Sequence, residues 1–436
     1  MKKILLLLLI LPLLSSAQKA EDYIRQGNEK FNKQDYTEAI KLYDQAVALD
    51  KSFSDSYYHR GLARFELKDY QGAIKDYTSA ISIKNDNSIM FDHRGSAKRY
   101  ANDIPGAIAD YDKALALDST NSIAYYNRGT TKAAIKNYSD AIKDYNHAIK
   151  INPDFVDAYF NRANSEQFIK DYPAAISDYD KLAELKPRAD IYLLRGLLKV
   201  KLSDKNGAIS DFSKAIEEDP ERSDAYYNRG VMKADLKDLS GAVADYNKAI
   251  ALDEKHQGAY IKLGALLAST GNFNDAMTNF DKALALNPNN AEAYANRALA
   301  ENYKGDFDAA LADCNKAISI TDTLAIAYSN RGVAKNQHKD YKGAIADLKK
   351  AIAMNPNDAV AFLNLGNSYN FAANYGTAIQ WYNEAIKLNP NYGNAYNNRG
   401  IAKYFFGDKK GACADINKAA SVGFSGAKTS LARYCR

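Results

Sequence analysis

Cysteine, proline and tryptophan are scarce in this chain of 436 residues, with 3 Cys, 9 Pro and 1 Trp. So few cysteines exclude a small disulfide-dense fold. The few prolines, and 24 glycines without a Gly-X-Y period, exclude collagen-like and Pro/Gly-rich disordered classes. Charge of one sign is also lacking. Lys+Arg 58 against Asp+Glu 53 leaves +5, too even a balance for a nucleic-acid-binding surface. Long apolar runs are absent beyond the first segment, so no membrane span is expected. Catalytic and cofactor signatures are missing as well: no phosphate loop, no GxSxG, no dinucleotide fingerprint and no HExxH. The five histidines (His59, His93, His147, His256, His338) show no zinc spacing, and the carboxylates do not converge. No enzyme, cofactor or metal is expected. What is present is 46% hydrophobic and 11% aromatic residues, with 32 Tyr, enough to exclude wholesale disorder.

The first segment reads as an address. Lys2 and Lys3 precede an apolar run from Ile4 to Leu14, followed by Ser15-Ser16-Ala17. A basic end, a short apolar core and a small-residue cleavage site make a signal peptide over 1–17. Eleven apolar residues fall short of the roughly 20 that a spanning helix needs. No cysteine near the cut provides for a lipid anchor. The expectation is a soluble, exported chain, periplasmic or secreted, in an oxidising compartment.

Beyond it the sequence repeats. A small residue recurs at Gly27, Gly61, Gly95, Gly129, Ala163, Gly196, Gly230, Gly264, Ala298, Gly332, Gly366 and Gly400, every 34 residues save one step of 33. Alanine follows twelve residues later each time, from Ala39 to Ala412. Eight residues after each small residue stands Asp or Asn, from Asp35 to Asp408, a helix N-cap. Prolines such as Pro153, Pro187 and Pro220 close several units. Each unit therefore predicts helix A, a tight turn, helix B and another turn. With stretches such as Ala124-Tyr-Tyr-Asn-Arg-Gly129 and Tyr138-Ser-Asp-Ala-Ile142 ending at Pro153, the chain resembles the tetratricopeptide repeat family. With the small residue at position 8, the segments are 1–17 signal peptide, 18–19 a short lead, 20–426 twelve repeats and 427–436 a C-terminal capping helix. The resemblance implies an all-α fold: a right-handed superhelical α-solenoid of twelve helix-turn-helix repeats, its concave face lined by the A helices. Stacking buries the apolar faces that a single pair leaves open.

Position 7, usually Leu in the family, is Arg in nine repeats, and the same nine carry Asp at position 23. Examples are Arg128 with Asp144, Arg229 with Asp245 and Arg331 with Asp347. The other three read Gln26 with Leu42, Leu263 with Asn279 and Leu365 with Trp381. Co-variation within one chain predicts an ion pair between helices A and B of one repeat. Position 11 belongs to the set: basic in seven of the nine and Glu in two, Glu166 and Glu301. Where the pair is missing, an apolar cluster is expected instead, as with Leu365, Tyr369 and Trp381. At the C-terminus, Cys413 and Cys435 lie about equally far from the turn near Gly423. A hairpin of helices returns one to the other, which predicts a disulfide. Cys314, at the large position 24, is expected to be a core thiol.

Function in such a fold is expected on the concave face. Position 6 is Asn in seven repeats: Asn127, Asn161, Asn228, Asn296, Asn330, Asn364 and Asn398. An amide offers a donor and an acceptor, matching a peptide backbone. The alternative is that each Asn bonds a neighbouring helix. Aromatics add Tyr58, Tyr126, Phe160 and Tyr227, and further on Phe371 and Phe405. His59 and His93 share position 6 of adjacent repeats. Position 5 never carries the Lys that clamps acidic C-termini in some relatives. The sequence points to a non-enzymatic scaffold for a protein or extended peptide partner, without nucleic acid. A carbohydrate binder is the alternative, since Tyr and Asn rows also suit sugars.

Overall fold

The computed structural model describes residues 18–435. The expected signal peptide, 1–17, lies outside them. The described residues are helical throughout and contain no strand. They divide into two compact units, one ending at Glu218 and one beginning at Asp219, each holding six helix pairs. In the first unit the pairs run from 18–32 with Tyr36–Leu49 to Ala189–Lys201 with Lys205–Glu218. In the second they run from Ser223–Asp235 with Leu239–Leu252 to Gly393–Phe406 with Lys409–Ser421, and Ala427–Tyr434 follows as the lid.

The turn between A and B is built the same way in every repeat. Position 15 is left-handed in all twelve, with Gly at Gly271, Gly305 and Gly407 only. The others include Lys68 at φ 62° and Ala373 at φ 56°. At Lys68 this closes a Schellman turn: Asp69 N–H donates to the Arg64 carbonyl at 2.9 Å and Lys68 N–H to that of Phe65 at 2.8 Å. The next residue caps helix B. In eleven repeats its side chain accepts from the backbone N–H three residues on, as Asp238 does from Gly241 at 2.9 Å. Asn272 makes no such bond.

Helix A then packs on helix B through a glycine. A Cβ on Gly366 would meet the Tyr382 ring at 2.5 Å, and one on Gly129 the Tyr145 ring at 2.9 Å. These position-24 rings are fully buried. Two repeats already carry the methyl: Ala298 faces the smaller Cys314, whereas Ala163 packs in one cluster with the full-size Tyr179. Burial raises the Cys314 thiol to about 12, so it stays protonated. Successive A helices also touch one another, for example Ser54–Glu66 with Ser88–Tyr100 and Ala325–Gln337 with Ala359–Phe371. The A helices thus form a row in each unit.

Candidate functional site

The nine Arg–Asp pairs form as two-pronged bonds. Arg128 Nε and Nη2 donate to Asp144 Oδ2 and Oδ1 at 3.0 and 2.5 Å. The same fork joins Arg229 to Asp245 at 2.9 and 2.7 Å and Arg331 to Asp347 at 2.8 and 2.7 Å. It recurs at Arg60, Arg94, Arg162, Arg195, Arg297 and Arg399. Each guanidinium lies over the ring at position 4, Arg128 at 5.4 Å from the Tyr125 centroid. The basic residue at position 11 bonds the same carboxylate, as Lys132 does to Asp144 at 2.8 Å. At Asp347 burial disfavours the charge, but hydrogen bonds from Arg331 and Lys335 outweigh it and hold the carboxyl below its usual range.

The third arm was not legible in this pairing. Nη1 reaches back to position 25 of the preceding repeat: Arg128 to Asp112 at 2.6 Å, Arg162 to Asn146 at 2.5 Å, Arg399 to Asn383 at 2.6 Å. One side chain therefore ties helix A, its own helix B and the previous helix B. A signal for it exists. Position 25 is Asp, Asn, Ser or Thr before every Arg repeat; before the two later repeats without Arg it is Asn247 and Lys349.

The repeats without a pair differ from one another. In repeat 11, Trp381, Tyr369 and Phe362 join one apolar cluster, with the Phe362 and Trp381 rings 5.9 Å apart. In repeat 8, Leu263 and Leu267 join an apolar cluster with Tyr246 and Val243 of the repeat before, yet a gap remains beside them. Leu263, Leu267 and Asn279 border a cavity of about 350 Å³, and Asn279 turns its amide to the Asp275 carbonyl of its own helix.

The asparagine row divides by partner. Asn127 donates to Asp92, Asn161 to the Tyr126 hydroxyl, Asn330 to the Ala295 carbonyl and Asn398 to Asn367 Oδ1. Asn228 donates to the Asp224 carbonyl of its own helix. These five are tied within the row of A helices or along one helix. Asn296 and Asn364 have no side-chain hydrogen bond among the described residues. Asn330, Asn364 and Asn398 come together in the second unit, around a cavity of about 390 Å³. Asn302, Asn367 and Asn394, from positions 12, 9 and 2, join them, which reading position 6 alone missed. The apolar lining is Leu299, Val333, Val360 and Leu363, with Tyr303 and Tyr392. Asn394, like Asn364, has no side-chain partner among the described residues. The cavity thus presents two free amides on an apolar wall.

The aromatics mostly serve packing. Tyr126 lies against Phe155, and Tyr227 against Tyr246 and His256. Phe160 borders a separate cavity of about 210 Å³ with Asp157 and Arg188. Phe371 and Phe405 do not line the amide cavity. At position 13 they are placed against Tyr341 and Tyr375, the first residues of the preceding B helices, and remain half exposed. A helix residue one step further round faces the turn edge rather than the row. Tyr58 stands between the two histidine rings, at 5.3 Å from His59 and 5.6 Å from His93, and its hydroxyl is 3.0 Å from His93 Nδ1. Burial lowers the proton affinity of both imidazoles. Among the described residues, no three His, Cys, Asp or Glu gather as a metal set. Cys413 and Cys435 are joined as a disulfide with Cα atoms 5.5 Å apart, tying the lid to the last B helix.

Paired helices braced at fixed positions define a helix-turn-helix repeat protein, and sequence comparison names the repeat. Profiles described as TPR repeat match 27–68, 95–135, 266–301 and 374–404. Tetratricopeptide repeat profiles match 54–87, 122–155, 193–256, 291–323, 325–358 and 348–380. The chain belongs to the tetratricopeptide repeat family. No curated protein sequence matches it. Among solved structures it is similar to the APC/C hetero-tetramer Cut9–Hcn1, at 15% identity and TM-score 0.53, covering 98% of this chain and 99% of that one. It also matches yeast Tom70, at 20% identity and TM-score 0.38 over 93% and 96% of the two chains. A tetratricopeptide repeat protein from Parabacteroides merdae matches at 18% identity and TM-score 0.47, over 57% of this chain and 99% of that one.

Proposed function

We propose that the protein is an exported, non-enzymatic scaffold that holds an extended polypeptide on the A-helix row of its second unit. The carrying observation is the pair of unpartnered amides, Asn364 and Asn394, on the cavity shared with Asn330 and Asn398. An amide can both donate to a peptide carbonyl and accept from a peptide N–H, and the apolar wall takes alternate side chains. Export is supported by the basic-apolar-small start of the sequence and by a structural disulfide, which persists in oxidising compartments. A carbohydrate reading has one observation in its favour. Tyr303 is 68% exposed, stacks on Phe273 at 5.3 Å and borders the same cavity.

Display of a random peptide library and a glycan array against the full mature chain separates the two. The scaffold reading expects peptide binding that Asn364→Ala/Asn394→Ala weakens by about tenfold or more. Glycan binding without peptide binding, lost in Tyr303→Ala, would establish the sugar reading instead.

A further inference from the structure

Among the described residues, nine of the ten buried aspartates occupy position 23 and accept from an arginine; Asp92 is the tenth. It stands at position 5 of the helix Ser88–Tyr100, where other repeats carry Tyr58, Tyr126 or Phe160. Its carboxylate, 5% exposed, accepts from Asn127 Nδ2 at 3.1 and 3.3 Å and has no ion pair among the described residues. Arg99, two turns further along the helix, lies over the Tyr100 ring at 4.5 Å. His93 is disfavoured as a cation by burial, and its Nδ1 is engaged with Tyr58. The remaining titratable neighbours, Tyr58, Tyr77, Tyr111 and Glu66, bring no positive charge. Burial pushes Asp92 up to about 6, so at neutral pH the site carries an uncompensated buried charge.

That charge opens into space. Asp92 and Asn127 border a cavity of about 200 Å³ whose other walls include Leu62, Phe65, Tyr77 and Ile123, with exposed Glu66 at its edge. An apolar sleeve ending at a carboxylate suits a long aliphatic stem with a cationic tip. We propose that this cavity receives a lysine or arginine side chain of a polypeptide bound along the first unit, with Asp92 as counterion. Asn127 holds the carboxylate in place, and Glu66 draws the cation to the mouth. The proposal rests on the polypeptide-binding reading but uses another unit and other residues.

The test is calorimetric titration of the full mature chain with a capped pentapeptide of four alanines around a central arginine. Its lysine and norleucine analogues and free agmatine serve as comparison probes. At neutral pH the basic peptides should bind about thirty-fold or more tighter than the norleucine peptide. Asp92→Asn should erase that preference while raising the thermal midpoint, because it removes the buried charge. In the wild type the preference should fade as pH drops through about 6. Equal binding of arginine and norleucine peptides, or a preference that survives Asp92→Asn, would overturn the proposal. Agmatine binding as tightly as the arginine peptide would overturn its polypeptide source. Asn364→Ala/Asn394→Ala should leave the arginine preference intact. If that variant also leaves library-peptide binding intact, the amide-cavity reading fails while the Asp92 inference stands.

Discussion

A guanidinium has five N–H donors, more than one carboxylate can occupy. In this protein the surplus is used between repeats. Arg128 spends two nitrogens on Asp144 and a third on Asp112 of the repeat before. Removing one half of such a buried pair should be costly. Asp144→Ala is expected to lose about 3–5 kcal/mol in urea denaturation, whereas Arg128→Met/Lys132→Met/Asp144→Leu should lose clearly less, since only the exposed Asp112 is left without its partner. The pairing itself was legible because Arg and Asp vary together across twelve copies. The third arm was not, because its acceptor changes type from Asp to Asn to Thr, and a search for one residue type passes over it. Two repeats put a carboxyl where lysine normally bonds the aspartate. Burial, then the neighbouring Asp178, raises Glu166 to about 8, and burial and Asp313 raise Glu301 to about 7. Both native pKa values exceed the unfolded value of 4.5, so the native state binds the extra protons. Stability from these groups is full below about pH 4.5 and is lost as pH rises through 7 and 8. Glu166→Lys/Glu301→Lys should flatten that decline, gaining roughly 1–3 kcal/mol at pH 9 relative to pH 5. Unfolding midpoints measured across that range check it; parallel curves for the two proteins would count against it.

At the scale of the helix, the turn and the glycine contact set the geometry. Glycine at position 8 was readable as a close approach, and the structure gives its cause in the position-24 side chain, a ring in most repeats and Leu348 or Ile416 opposite Gly332 and Gly400. Gly366→Ala should force the buried Tyr382 ring and cost about 1–3 kcal/mol in thermal unfolding. The left-handed residue at position 15 was not readable, because lysine, serine, glutamine and alanine hold it alongside three glycines. No side chain marks it; the backbone hydrogen bonds of the Schellman turn impose it. Ala373→Gly should therefore stabilise, by up to about 1 kcal/mol, since it relieves a left-handed alanine. Repeat 8 illustrates a different limit. The sequence shows that its ion pair is missing, but whether apolar side chains close the gap depends on their reach. Trp381 reaches in repeat 11, while Leu263 and Asn279 leave a cavity of about 350 Å³.

Over the whole molecule, each unit is a stack in which every helix pair is stabilised by its neighbours, so the last pair is the exposed one. The disulfide closes it. With the cysteines separated by 22 positions in sequence, reduction should cost about 3 kcal/mol. Amide exchange should then rise first in Ala427–Tyr434. The period, the helix pairing and the lid were all legible, because twelve copies average out local exceptions. The amide cavity was only partly legible. Position 6 marked Asn330, Asn364 and Asn398, but Asn302, Asn367 and Asn394 come from three other positions that converge only when A helices lie side by side. Most of the marked asparagines are consumed by neighbouring helices, a difference that depends on who stands opposite. Amide exchange with a library-selected peptide tests directly whether a polypeptide occupies this amide cavity. Binding should slow exchange in Ala359–Phe371 and Gly393–Phe406, the helices that carry Asn364 and Asn394, and do so far less in Asn364→Ala/Asn394→Ala. Protection confined to the B helices, or identical in the variant, would contradict it.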